Sequence, residues 1–541
     1  MMELMTVSAL EKVLPFRPVR LARTGGKKLA GEDYAFQVVL RVTEPVQRCR
    51  LTWDGGLGVS VARERYTTSL YTRNPGHDDY VIGADEAVFP DALIPYASEE
   101  FSLGTGVHHT FWVTVRADDS VVPGTYDLTF TAEDLSKPGE GAQCAFHLTV
   151  LSGSLAENDL IVTKWIHGDC IAEANRVPVF GEAFYTAFRA HIRAAVASGQ
   201  TMAYLPLFTP PLDTAVGGER MTVQSVSVTR TDAGYTFGFQ RFDRLVAICR
   251  EEGIRYFELS HLFTQWGAEA CPKIEVTRPD GTVETAFGWG VASDSAAYTA
   301  FLAAFLPALT AHLSALGIKD RTYLHLSDEP DARHITRYVA LHRTVKQYAA
   351  GLKTMDALSE YRFAEAGAPD LPAVIEGSEG EFMRHGTPFL LYYCCYPNGK
   401  RYPNIFMNHP LLRVRILGAM LYLTGARGFL HWGFNFYHNA LSRQVLDPFV
   451  SCDGLETFPA GDPFVVYPDG ALGVYSSVRQ EVFAAAIGDY RLLKRCEEML
   501  GRDGVLALLR RHGILSLTEY PTDEGAFEAL RDELLTLAAG T

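Results

Sequence analysis

The stretch Tyr323-Leu-His-Leu-Ser-Asp-Glu-Pro330 begins as a short apolar strand and ends in two consecutive carboxylates, which a proline then stops. Asp and Glu are poor strand formers, and a Pro after them breaks any ladder. A buried strand whose C-terminal end carries acids is what a parallel barrel enzyme needs, because its chemistry sits on that face. Many ordinary strands also end at polar turn residues, so the motif needs its context.

The context is a repeating one. Apolar runs at Leu160–Trp165, Met202–Leu207, Tyr256–Ser260, Tyr323–Ser327, Leu352–Asp356, Leu371–Glu376, Phe389–Cys394 and Gly428–Trp432 alternate with helical patterns. Those helices are predicted near 182–198, 242–252, 295–316, 332–350, 410–423 and 476–499, with apolar residues at three-to-four spacing. Eight strands in roughly 340 residues predict a (β/α)8 barrel over 156–503, with enlarged loops at 208–235 and 261–289. A hairpin is expected around Val223–Thr229 inside the first of these loops. Residues 1–155 read differently. Tyr34–Val42, Phe111–Val115 and Tyr126–Thr131 are rich in β-branched and aromatic residues, and Gly/Pro turns separate them, which predicts a β-sandwich of seven or more strands. Phe89-Pro-Asp-Ala-Leu-Ile-Pro-Tyr96 reads as a packing loop. Residues 504–541 are expected to form a short helical extension.

Composition narrows the function. The 541 residues carry a formal charge of −15, which argues against nucleic acid or an anionic membrane as partner. Nine scattered cysteines make no disulfide framework. No Cys-x-x-Cys and no His-Glu-x-x-His occurs, and His167-Gly-Asp-Cys170 reads as a polar loop, so no metal and no cofactor is expected. The first 20 residues lack a signal-peptide core, and a cytoplasmic location is the expectation. The sandwich either flanks the barrel or joins two subunits, leaving a homo-oligomer open.

In a barrel, residues just after the strands face one cavity. Here they include Trp165, His167, Glu258, His261, Gln265, Trp266, Asp328, Glu329, Asp356, Glu376, Tyr393, Trp432, Asn435 and Tyr437. Aromatics placed among carboxylates and amides suit a sugar, which offers an apolar face and many hydroxyls. Adjacent carboxylates, however, cannot serve as the usual pair. A retaining glycosidase needs its two carboxyls about 5–5.5 Å apart across the scissile bond, and neighbours in an extended chain point to opposite sides. Substrate assistance removes the difficulty. The carbonyl oxygen of a 2-acetamido sugar attacks its own anomeric carbon, Glu329 serves as acid and then base, and Asp328 holds the acetamide and stabilises the developing charge. The competing scheme wants a nucleophilic Glu after strand seven. That strand ends Tyr392-Tyr-Cys-Cys-Tyr-Pro397, so Glu376 or Asp356 would have to substitute.

The motifs His325–Pro330, Phe208–Thr214, His261–Gly267, His431–Tyr437 and Phe458–Pro468 resemble domain-of-unknown-function family 4091, over roughly residues 30 to 500. That family is related to glycoside hydrolase family 123, the β-N-acetylgalactosaminidases. The resemblance implies a sandwich ahead of a barrel, retention through acetamido participation, and a catalytic pair falling on Asp328 and Glu329. It also implies a Tyr on the acetamide oxygen, either Tyr393 or Tyr437, and Trp432 as the floor of the sugar pocket. His261, Gln265, Asp356 and Asn435 are candidates to meet the axial O4 of a galactose-type ring, and His167 and Trp266 complete the rim. The substrate is then a terminal β-linked GalNAc. A β-N-acetylglucosaminidase, another retaining glycosidase, or a glycan-binding protein without turnover are the alternatives.

Overall fold

The computed structural model describes residues 1–69, 77–83 and 88–540. The N-terminal part is a β-sandwich of two five-stranded sheets. One runs in the order Met2–Ser8, Tyr34–Val42, His109–Val115, Val59–Thr68, Val88–Tyr96; the other runs Gly25–Gly31, Gly141–Ser154, Gly124–Asp134, Val46–Asp54, Phe101–Leu103. Alternating side chains of both inner faces build its core. Phe36, Val38, Phe111, Leu128, Phe130 and Phe146 are buried in it, with Phe36 stacked on Phe146 at 4.0 Å.

Phe89–Tyr96 is not a loop. It lies in the strand Val88–Tyr96, where Pro90 and Pro95 are tolerated because the strand stands at the sheet edge. This edge faces the barrel. Ala92 bridges to Ser477, and buried Asp91 pairs with buried Arg479 at 2.8 Å while accepting the Tyr467 hydroxyl at 2.6 Å. The segment therefore does pack, though as a strand.

The barrel strands are β1 (Ile161–Lys164), β2 (Met202–Leu205), β3 (Tyr256–Leu259), β4 (Thr322–His325), β5 (Lys353–Leu358), β6 (Leu371–Ile375), β7 (Leu390–Tyr392) and β8 (Gly428–His431). All are parallel, and β1 pairs with β8. The ladder stops between β1 and β2, where the Gln200 amide bridges the seam by donating to Lys164 O and Met202 O at 3.1 and 2.8 Å. Inward positions alternate along the strands as the pleat requires. Met202 and Tyr204, Met355 and Ala357, Leu371, Ala373 and Ile375, and Leu390 and Tyr392 share one interior cluster.

The two enlarged loops fold together. Ser227–Thr231 and Gly234–Gly238 form the hairpin of the first, Ile274–Thr277 and Val283–Phe287 that of the second, and Thr229 pairs with Thr277 to merge them into one four-stranded sheet. Helix Ala296–Ala315 is apolar and long enough to cross a membrane, yet Tyr298, Phe301, Phe305 and Leu309 on it are buried in the core. The last helices are Val478–Arg511, interrupted at Gly501, and Glu524–Ala539. Arg531 ties the final one to Glu32 of the sandwich at 2.6 Å.

Candidate active site

The site grows from the end of β4. Glu329 takes a left-handed backbone (φ 44°), which a non-glycine residue adopts only at some cost. Two bonds fix the turn: the Glu329 N–H donates to Ala357 O at 3.0 Å, and the Trp266 N–H donates to Asp328 O at 2.8 Å. The two acids are thus clamped between β3 and β5. Glu329 reaches across the barrel, where the Tyr392 hydroxyl donates to its Oε1 at 2.8 Å.

Below the pair lies a buried charged layer. His325 Nε2 stands 2.6 Å from Glu258 Oε1, and its Nδ1 stands 3.4 Å from Asp356 Oδ1. Burial disfavours an imidazolium, but the two carboxylates reverse this and raise the His325 pKa to about 10. Glu258 also accepts from Thr163 Oγ1 and Trp165 Nε1, both at 2.7 Å. Asp356 accepts from the Ser327 N–H at 2.9 Å and the Tyr338 hydroxyl at 2.8 Å. His261 stacks on His325 at 4.1 Å, and burial together with that cation keeps it neutral.

This layer shapes the titration of the pair. Burial raises the Asp328 pKa first, and repulsion from Glu329 and Asp356 raises it further. Burial raises Glu329 too, with the Tyr392 hydrogen bond pulling the other way. The larger upward shift falls on Asp328, and the pair as a whole holds a proton more readily than free carboxylates do.

The other predicted rim residues divide into two groups. Trp432 is half-buried, its Nε1 donating to Asp462 Oδ2 at 2.9 Å, and it packs on Phe436 and Phe458. Gln265 accepts the Asp213 N–H at 2.6 Å and leaves its buried Nε2 unpartnered. His261 likewise contacts the Tyr204 hydroxyl at 3.2 Å through Nδ1 and leaves Nε2 without a partner. These are polar atoms a ligand would satisfy.

Asn435 and His167, by contrast, are already engaged. Asn435 exchanges two bonds with the His167 backbone (2.7 and 3.1 Å), and the His167 ring lies between Trp432 O and Arg220. Burial and that arginine lower the His167 pKa to about 3. Both residues brace the loop beneath Trp432. Tyr437 spends its hydroxyl on Val466 O at 3.0 Å. Tyr393 lies outside the barrel wall, packed on Phe429, and shares its surroundings with Glu376, whose two buried oxygens have no partner. Neither Tyr393 nor Tyr437 meets the carboxylates. Tyr392 does, and the parity of the strand explains the difference: Leu390 and Tyr392 face inward, and Tyr393 cannot.

Among the described residues two clusters have metal-ligand spacing: Asp169, Cys170 and His438, and His261, His325 and Asp356. Their chemistry suits a cation poorly. Asp169 is ion-paired with Arg220 at its Nε, and His325 carries its own positive charge between two acids.

A parallel barrel bearing a buried carboxylate pair at the end of β4, among aromatics, suits a glycoside hydrolase. The glycoside hydrolase 123 catalytic domain matches residues 165–496, more than half of the chain, and the chain belongs to that family. A family 123 glycoside hydrolase from Clostridium perfringens, solved in work on glycolipid glycan hydrolysis, is similar over 100% of this chain and 98% of its own. The TM-score is 0.76 at 15% identity, a likeness of fold. A family 5 mannosidase from Rhizomucor miehei overlaps 63% of this chain at 10% identity with a TM-score of 0.32. No protein with a curated description matches the sequence.

Proposed function

We propose that the protein is a retaining exo-glycosidase that releases terminal β-linked N-acetylgalactosamine with the help of the substrate's own acetamide. The observation that carries this reading is the saturation of the other inward acids. Glu258 already holds Thr163, Trp165 and His325, and Asp356 holds Ser327, Tyr338 and His325. Glu376, the remaining substitute, follows inward-facing Ile375 and so is directed to the opposite face of the strand. The engagement of Glu258 and Asp356 leaves neither free to attack an anomeric carbon opposite Glu329, which supports a nucleophile supplied by the sugar.

Glu329 then protonates the glycosidic oxygen and later activates water. Asp328 accepts the acetamide N–H, aligns the carbonyl oxygen, and balances the oxazolinium charge. Tyr392 is the tyrosine placed to leave Glu329 for the acetamide oxygen once substrate binds. The unpartnered Nε2 atoms of Gln265 and His261 are the best candidates to recognise O4. A site built to bond that hydroxyl discriminates strongly against the epimer, which favours GalNAc over GlcNAc only if one of these atoms meets it.

The test is turnover of aryl β-GalNAc and β-GlcNAc glycosides by wild type, Glu329→Gln and Asp328→Asn. Both variants should lose at least a hundredfold in kcat. Full activity in Glu329→Gln removes the assignment.

A further inference from the structure

We propose that Trp266 is the platform on which the leaving-group sugar stacks, so that the preferred substrate is a glycan of at least two rings; this rests on the glycosidase reading above. Trp266 is the one tryptophan among the exposed large apolar side chains, 53% exposed, whereas Trp112 and Trp165 are buried. It also has a left-handed backbone, φ 58°, unfavourable for a bulky residue. An exposed indole on a strained backbone persists only where the surroundings over-determine it.

They do so here. Its own N–H is spent on Asp328 O. On one side Gln265 is bonded to the Asp213 N–H. On the other, Gly267 (φ 137°) lies so close to the His334 ring that an added Cβ would approach it to 2.8 Å, and buried Ala268 donates to Thr264 O. The turn is clamped and the indole is held out.

Its position selects the ligand. The bond to Asp328 O places the Trp266 backbone one residue from the general acid, and that acid must sit at the oxygen joining the two sugars. The ring cleaved off as N-acetylhexosamine is enclosed near Trp432 and the buried carboxylates, while the leaving ring lies outward. With its backbone held one residue from Glu329, the exposed indole offers stacking to the apolar face of a hexopyranose without bonding to particular hydroxyls. Trp266 therefore contributes affinity for the leaving group and tolerance of its identity.

The experiment compares a disaccharide bearing terminal β-GalNAc on galactose with β-GalNAc azide, whose leaving group has no ring. Trp266→Ala should lose at least ten times more kcat/KM on the disaccharide than on the azide, mainly through KM, and Trp266→Phe should recover much of it. Equal losses on both overturn the proposal. If wild type hydrolyses neither, the β-GalNAc reading fails, and the platform is judged separately by titrating lactose into Glu329→Gln with and without Trp266→Ala. A fivefold loss of affinity supports it; equal affinity, or no binding by either, overturns it. A loss seen only for a glycan displayed on lipid vesicles assigns Trp266 to a membrane surface and also overturns it.

Discussion

At the scale of single residues, the site turns on one hydrogen bond that sequence parity hides. Tyr392 and Tyr393 are adjacent and chemically identical, and only the inward one reaches Glu329. A pleated strand sends neighbours to opposite faces, so a register error of one residue moves the hydroxyl out of the barrel. Leu390 could have fixed the register, because an apolar inward residue at that position places Tyr392 on the same face. The bond has a measurable consequence. It favours the ionised form of Glu329, so its removal raises the pKa of the acid. In Tyr392→Phe the basic limb of the kcat/KM profile should move to higher pH, with kcat reduced about tenfold or more if the same hydroxyl serves the acetamide. An unmoved limb would show that Tyr392 does not govern the proton on Glu329. The placement of the Asp328–Glu329 pair at the end of a barrel strand was legible once the eight-strand context was counted, since ordinary strands also end at polar residues. His167 and Asn435 were legible only as polar residues near the mouth; the two bonds of the Asn435 amide to the His167 backbone need the loops of β1 and β8 brought together.

At the scale of elements, β4 carries two functions on one short strand. Its end presents the acids, and His325 within it cross-links β3 and β5 through Glu258 and Asp356. That ion triad is completely buried, so its charge state is part of the fold's stability. The folded pKa of His325 is about 10 against an ordinary value of 6.5. A group raised in this way stabilises fully below about pH 6.5, and its contribution is lost as pH climbs through about 10. The thermal midpoint of the wild type should therefore fall between pH 7 and 10, and His325→Gln should show a flatter dependence from a lower starting point. A wild-type midpoint independent of pH across that window would place His325 in the neutral state. The eight strands were legible because the apolar runs are bounded by turn residues and most are followed by a helical pattern; the short helices Tyr361–Glu365 and Glu379–His385 after β5 and β6 were not foreseen. The merged sheet of the two insertions was not, because the pairing of Thr229 with Thr277 joins segments distant in sequence that share no local signal.

At the scale of the whole molecule, the sandwich and the barrel are held by buried polar contacts as well as apolar ones. Arg479 and Asp91 are both fully buried, and Lys12 donates to Met407 O at 2.5 Å with burial lowering its pKa to about 7. Desolvation offsets much of the attraction in a buried ion pair such as Arg479–Asp91, so its net stabilisation is small, while loss of one partner would strand a buried charge. The sequence texture distinguished a β-sandwich from a barrel, while Phe89–Tyr96, read as a packing loop, is an edge strand. An edge strand accepts prolines, and edge status depends on the assembled sheet.

The central claim is that the substrate's acetamide is the nucleophile, and its most direct test is a graded series of aryl β-galactosaminides carrying acetyl, fluoroacetyl, difluoroacetyl and trifluoroacetyl groups on nitrogen. Successive fluorines withdraw electrons from the carbonyl oxygen and weaken it as a nucleophile. We predict that log(kcat/KM) falls steeply and monotonically along the series, by several orders of magnitude in total. A flat series would mean that a protein carboxylate attacks the sugar, and would contradict the account.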